Sequence, residues 1–97
     1  MPSMDTLIEQ HRQQIVSIAT ANGATNVRLF GSRARGEART DSDVDLLICL
    51  DNRHTLLHLI AIKQDIEDVL GCNVDVLTEK CLEKEMRDEV LREAVTL

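Results

Sequence analysis

The sequence predicts a small α/β fold: a mixed sheet of three or four strands with helices packed on it. Three observations carry this. Two long segments place apolar residues every three or four positions, the period of one helix face. Between them lie short runs rich in Val, Leu and Ile, bounded by Gly, Asn and Asp, which read as strands. The segments alternate along a chain of 97 residues, a length that allows one domain, 1–97, with one core.

The first helix is expected over residues 3–22, with Met4, Ile8, His11, Ile15, Ile18 and Ala19 on one face. Asn22-Gly23 is its stop signal. A strand follows over 26–30 and runs into Gly31. Residues 31–42 are polar and basic, a loop with room for one helical turn. Val44–Leu50 is almost continuously apolar, so this strand is expected at the centre, covered on both faces. A second helix is predicted over 54–70, facing inward through Leu56, Leu59, Ile60, Ile66 and Leu70, with Gly71 at its C-terminal stop. Residues 73–77 form the next strand. Residues 79–95 carry six acidic and four basic side chains. They read as a solvated helix with Leu82, Met86, Val90 and Ala94 along one stripe. Its i,i+4 pairs Glu83–Arg87 and Asp88–Arg92 are worth only about 0.2–0.5 kcal/mol each.

Composition excludes several functions. Eleven basic residues against 17 acidic leave a formal charge of −6, which argues against direct nucleic-acid binding, since phosphate neutralisation needs clustered Lys and Arg. One Phe, with no Trp or Tyr, provides no stacking platform for single strands. Cys49, Cys72 and Cys81 form no C-x-x-C pair, so neither a zinc knuckle nor a disulfide framework is implied; Cys49 and Cys72 read as small buried apolar residues. No signal peptide or membrane-length run is present, so the expected location is the cytoplasm, with no membrane contact.

One segment breaks these local rules. It runs Gly31-Ser32-Arg33-Ala34-Arg35-Gly36, then Glu37 to Thr40, then Asp41-Ser42-Asp43-Val44-Asp45. Four of the 11 basic residues lie between Arg28 and Arg39, and three aspartates follow within five positions. Cations beside an anion cluster suit an anionic ligand that carries metal ions. A strand that ends at Gly-Ser and turns offers backbone N–H groups and a hydroxyl to phosphate oxygens. The plainer reading is an ordinary turn. Asp43 and Asp45, two apart at a strand start, point to one face. They repel unless a cation sits between them, and hard oxygen ligands suit Mg²⁺; the plainer reading is a solvated turn. Asp41-x-Asp43-x-Asp45 also imitates an EF-hand loop, but the sixth position is Leu46 and the twelfth Asn52, so that reading fails. Asp75 lies mid-strand. If its strand neighbours that of Asp45 it can join the same face, share a metal and take a proton from an attacking hydroxyl; otherwise it is an exposed edge position. His54 and His58 have zinc-compatible spacing but no third ligand, and read as a solvated or partly packed pair.

Gly31-Ser32, ten residues, then Asp43-x-Asp45 resembles the G-S-x(10)-D-x-D signature of the polymerase-β nucleotidyltransferase superfamily. The longer string through Leu47 is similar to the minimal nucleotidyltransferases, short domains often paired with a HEPN partner in toxin–antitoxin systems. Val74–Thr78 resembles the family's third-acid strand, and Arg87–Val95 its last helix. The resemblance implies the minimal nucleotidyltransferase fold, with Gly31, Ser32 and Arg35 binding nucleotide, and Asp43, Asp45 and Asp75 as catalytic residues and ligands to two Mg²⁺ ions. Arg33 or Arg39 would also meet phosphate or partner. It implies transfer of AMP from ATP to a hydroxyl, a tyrosine of a HEPN toxin, by a chain acting as antitoxin within a hetero-oligomer. An acidic surface suits a partner built to bind RNA. Two other readings fit the same residues: an antitoxin that masks its partner without catalysis, and a small-molecule, aminoglycoside-type nucleotidyltransferase.

Overall fold

The computed structural model describes residues 6–37, 42–51, 53 and 56–97. Helix α1 (Thr6–Ala21) leads into β1 (Ala24–Phe30), a single turn α2 (Ser32–Arg35), β2 (Val44–Leu50), α3 (Leu56–Leu70) and β3 (Val74–Thr78). A 3-10 turn (Glu79–Cys81), α4 (Lys84–Glu93) and the short β4 (Val95–Thr96) complete the described chain. The four strands form one mixed sheet in the order β3-β2-β1-β4. β1 is antiparallel to β2 and β4, whereas β2 and β3 run parallel, joined by α3. Among the described residues no helix is long and apolar enough to cross a membrane.

Period-two alternation gives the sheet two unlike faces. Val27, Leu29, Val44, Leu46, Ile48 and Val74 point to one face, where Ile8, Ile15 and Ala19 of α1 and Ile62, Ile66 and Leu70 of α3 complete the main core. The other face holds a smaller cluster in which Val90 of α4 meets Phe30 and Leu47, with Leu77, Leu82 and Ala94 around them. β2 is central and covered on both sides: Leu46, Leu47 and Ile48 are each 0% exposed, each contributing about 1.5–3 kcal/mol by leaving water.

Several elements depart from expectation. β1 begins at Ala24, and its register slips between Thr25 and Arg28, where Asn26 takes φ 52°. The irregularity is a bulge, which bends a strand and leaves an extra residue unpaired. Arg28 is buried in place of an apolar neighbour. It is held by Glu79 Oε1 at 2.7 Å and donates to the Asn26 carbonyl and Cys49 Sγ. In α3 the inward residues are Ile62, Ile66 and Leu70, with Leu59 half-buried against the core, while Leu56 and Ile60 of the predicted stripe are exposed where they line a shallow recess with Val76 of β3. The expected helix over 79–95 divides at Leu82-Glu83, whose backbone is extended. Met86 is exposed and Val90 alone of that stripe is fully buried. Arg87 lies 3.9 Å from Glu79, and Arg92 donates to the Asp88 carbonyl; neither makes the side-chain pair that spacing suggested. Cys49 and Cys72 are half-buried, not fully inside. Met4, His54, Arg39 and Asp41 lie outside the described residues.

The start of β3 is fixed by side chains. Glu67 Oε2 accepts from the Val74 amide at 3.0 Å and from Lys63 Nζ at 3.2 Å, and Lys63 donates to the Val74 carbonyl at 2.6 Å. The Val74 amide, then the Lys63 ammonium, hold the Glu67 carboxyl below the usual glutamate range. A carboxyl depressed on folding adds stability above its unfolded value, about pH 4.3, that is lost as pH falls through the folded value. Glu67→Gln is therefore expected to lower the melting temperature at pH 7 and to flatten its decline below about pH 4.3. Thermal melts from pH 3 to 7 check this, and parallel curves for the two proteins would refute it.

Candidate active site

Two of the sequence-predicted acids, Asp45 and Asp75, are register partners on the face of the sheet that carries α4. The parallel register pairs Asp45 with Asp75, and the antiparallel one pairs Asp45 with Phe30. Phe30, Asp45 and Asp75 therefore form one row across three strands. Asp43 lies two residues before Asp45, exposed at the entry to β2. Asp75 is exposed on an edge strand, as its plainer reading had it, yet it also stands beside Asp45. Exposure removes the desolvation cost that a mid-strand carboxylate would otherwise carry.

These neighbours are felt electrostatically. Partial burial, then the charges of Asp75 and Asp43, push the Asp45 carboxyl above the usual aspartate range, while Arg35 opposes them. The donor set is all oxygen and its charges repel, so it fits hard divalent cations that would offset the repulsion. No three His, Cys, Asp or Glu side chains among the described residues are already gathered as a metal-binding group.

Gly31 closes the other side of the row. Its φ of 77° and ψ of −158° belong to a region that is essentially glycine's alone. A Cβ built there would collide with Asp45 Oδ2, so the turn packs directly on the acid. Ser32 begins α2, and its carbonyl accepts from the Gly36 and Glu37 amides. That compact turn reverses the chain within six residues of β1.

The arginines divide by role. Arg33, expected to meet phosphate or partner, is 4% exposed, and its Nε and Nη2 donate to the Ser42 carbonyl at 3.1 and 2.8 Å. It anchors the chain immediately before Asp43. Arg35 is exposed beside the acid row. Its Nε meets Glu37 at 3.0 Å and its Nη1 meets Glu93 of α4 at 3.1 Å, contacts that raise its pKa further. Neither the anchoring role of Arg33 nor the link from Arg35 to Glu93, 58 positions away, can be read from the sequence. No local signal marks either.

The chain belongs to the nucleotidyltransferase domain family, whose model matches residues 8–97. It is 36% identical over 91 residues to the protein adenylyltransferase MntA of Thermococcus cleftensis, covering 86% of this chain and 92% of that protein. A solved structure of a candidate minimal nucleotidyltransferase superposes with a TM-score of 0.87 at 41% identity, covering 99% of this chain and 98% of that one. A crystal structure of a toxin–antitoxin with AMP-PNP shares the fold, with a TM-score of 0.75 at 17% identity over 87% of this chain and 69% of that one.

Proposed function

We propose that this chain is a Mg²⁺-dependent protein adenylyltransferase that moves AMP from ATP to a hydroxyl, a tyrosine in this reading, on a HEPN-type toxin, and so acts as its antitoxin in the cytoplasm. The observation that carries the proposal is the row in which Asp45 stands between Asp75 and the Gly31 turn. Kinship with a protein adenylyltransferase supports a protein acceptor. The fold shared with a toxin–antitoxin holding AMP-PNP supports ATP and a toxin partner.

In this reading Gly31 and Ser32 seat the triphosphate, and Arg35 offers a guanidinium to it. Asp43, Asp45 and Asp75 would hold two Mg²⁺ ions, which when bound would supply charge neutralisation at the attacking and leaving oxygens. The acceptor oxygen attacks the α-phosphorus and a new P–O bond forms. The bond to pyrophosphate breaks, pyrophosphate leaves with the electron pair, and Asp75 takes the hydroxyl proton. The protein contributes mainly position and charge. The domain spans residues 1–97 and works within a hetero-oligomer, with no membrane or direct nucleic-acid contact.

The test is incubation of the complex with each labelled NTP and Mg²⁺, followed by intact mass of both chains. The expected result is one or more adenylates on the partner, from ATP only, abolished by EDTA. Label on a free aminoglycoside with none on protein would replace this reading with small-molecule transfer. Neutralisation at native affinity by Asp43→Ala/Asp45→Ala, with transfer lost, would replace it with masking.

A further inference from the structure

Arg35 is the one proposed nucleotide-binding side chain that the fold holds from two sides. Glu37, just beyond the α2 turn, takes Nε, and Glu93, in the last turn of α4, takes Nη1. Among the described residues Nη2 has no partner. A guanidinium pinned at two nitrogens keeps its plane and leaves one corner for another anion, a use that Lys cannot imitate. We propose that Glu93 is a positioning residue for nucleotide binding, holding Arg35 so that Nη2 is presented to the phosphates. This inference rests on the reading of Arg35 as a phosphate contact and goes beyond it by assigning a residue of α4.

A purely structural role explains the pair poorly. The Arg35 side chain is 40% exposed and that of Glu93 26%, and a solvent-accessible ion pair of this kind adds little to stability. α4 is already seated by Val90 against Phe30 and Leu47, so it does not need this contact to dock. What the pair can supply is preorganisation. A free arginine loses several rotamers on binding a phosphate, whereas one already held loses few. Glu93 also brings a negative charge near the phosphates, which by itself would weaken binding. The two effects are separable, because charge acts through space whether or not Arg35 is present.

The experiment measures KM for ATP and kcat in transfer to the co-purified partner, ATP affinity by calorimetry with Mg²⁺, and melting temperature. The variants are Arg35→Ala, Glu93→Ala, Glu93→Gln and the double alanine. Glu93→Ala is expected to raise KM and weaken ATP binding about three- to tenfold, with kcat within about twofold and the melting temperature nearly unchanged. Glu93→Gln, which keeps an acceptor for Nη1, is expected to recover most of the loss. In the Arg35→Ala background Glu93→Ala is expected to cost nothing further. An unchanged or lower KM in Glu93→Ala, or an equal cost with and without Arg35, overturns the inference. If Arg35→Ala leaves ATP affinity unaltered, the assignment of Arg35 falls, and this inference with it.

Discussion

Asp45→Asn is expected to raise the melting temperature at pH 7 while cutting AMP transfer by about a hundredfold to a thousandfold or more. The two effects have one cause. Asp45 stands in register with Asp75 and close to Asp43, half-buried, so its charged form is disfavoured in the fold. For an acid whose carboxyl is raised on folding, the favourable contribution is present below the unfolded value and lost as pH rises through the folded one. Neutral pH is therefore where its charge is most costly. Like charges directly opposite each other across strands cost about 0.2–1 kcal/mol, and removing one such charge raises the midpoint of a chain this size by a few degrees. Asn keeps the shape and removes the repulsion. Thermal melts at pH 7 and pH 4 with the labelled-ATP assay check both halves. The gain in stability should shrink at pH 4. A midpoint that falls at pH 7, or transfer that survives, would show that Asp45 is not the centre of a charged site.

Gly31→Ala should damage both stability and activity. The backbone at Gly31 is one that a side chain adopts at a cost of about 1–3 kcal/mol, and its new methyl would meet the Asp45 carboxylate. The expected fall in melting temperature is about 4–8 °C for each kcal/mol lost, with transfer reduced further because Asp45 must move. Gly36→Ala supplies the comparison. Gly36 also has positive φ, at 74°, but a Cβ there meets nothing within 4 Å. It should lose stability while retaining most of its transfer activity. Equal loss of transfer from the two variants would mean that the approach of Gly31 to Asp45 is unimportant.

Much of the fold could be read from the chain because apolar spacing and burial coincide. β2 has the predicted bounds of Val44–Leu50 and is central, since a strand apolar at nearly every position can only be covered on both faces. The proximity of Asp45 and Asp75 was legible only as a condition, because sequence does not state strand order, and the parallel register meets that condition. Arginine roles were less legible. Arg33 and Arg35 look alike in a Gly-Ser-Arg-Ala-Arg-Gly string, yet one is buried on a carbonyl and the other is exposed between two glutamates. Helix phase places them on different sides of a single turn, and only packing decides which side is inside. The break at Leu82-Glu83 was hidden because the apolar stripe keeps its spacing through it; the 3-10 turn before it lets Glu79 reach Arg28.

The clasp that Lys63 and Glu67 place on Val74 has a consequence for how these molecules behave when crowded. β3 is the outermost strand on its side, and an outermost strand with open amides and carbonyls invites another chain to stack on. Here the first donor and acceptor of that rim are already taken by the molecule's own lysine and glutamate. The rim is plugged at the end where Asp75 sits, so that end of β3 offers no open backbone pair from which sheet-to-sheet growth could start.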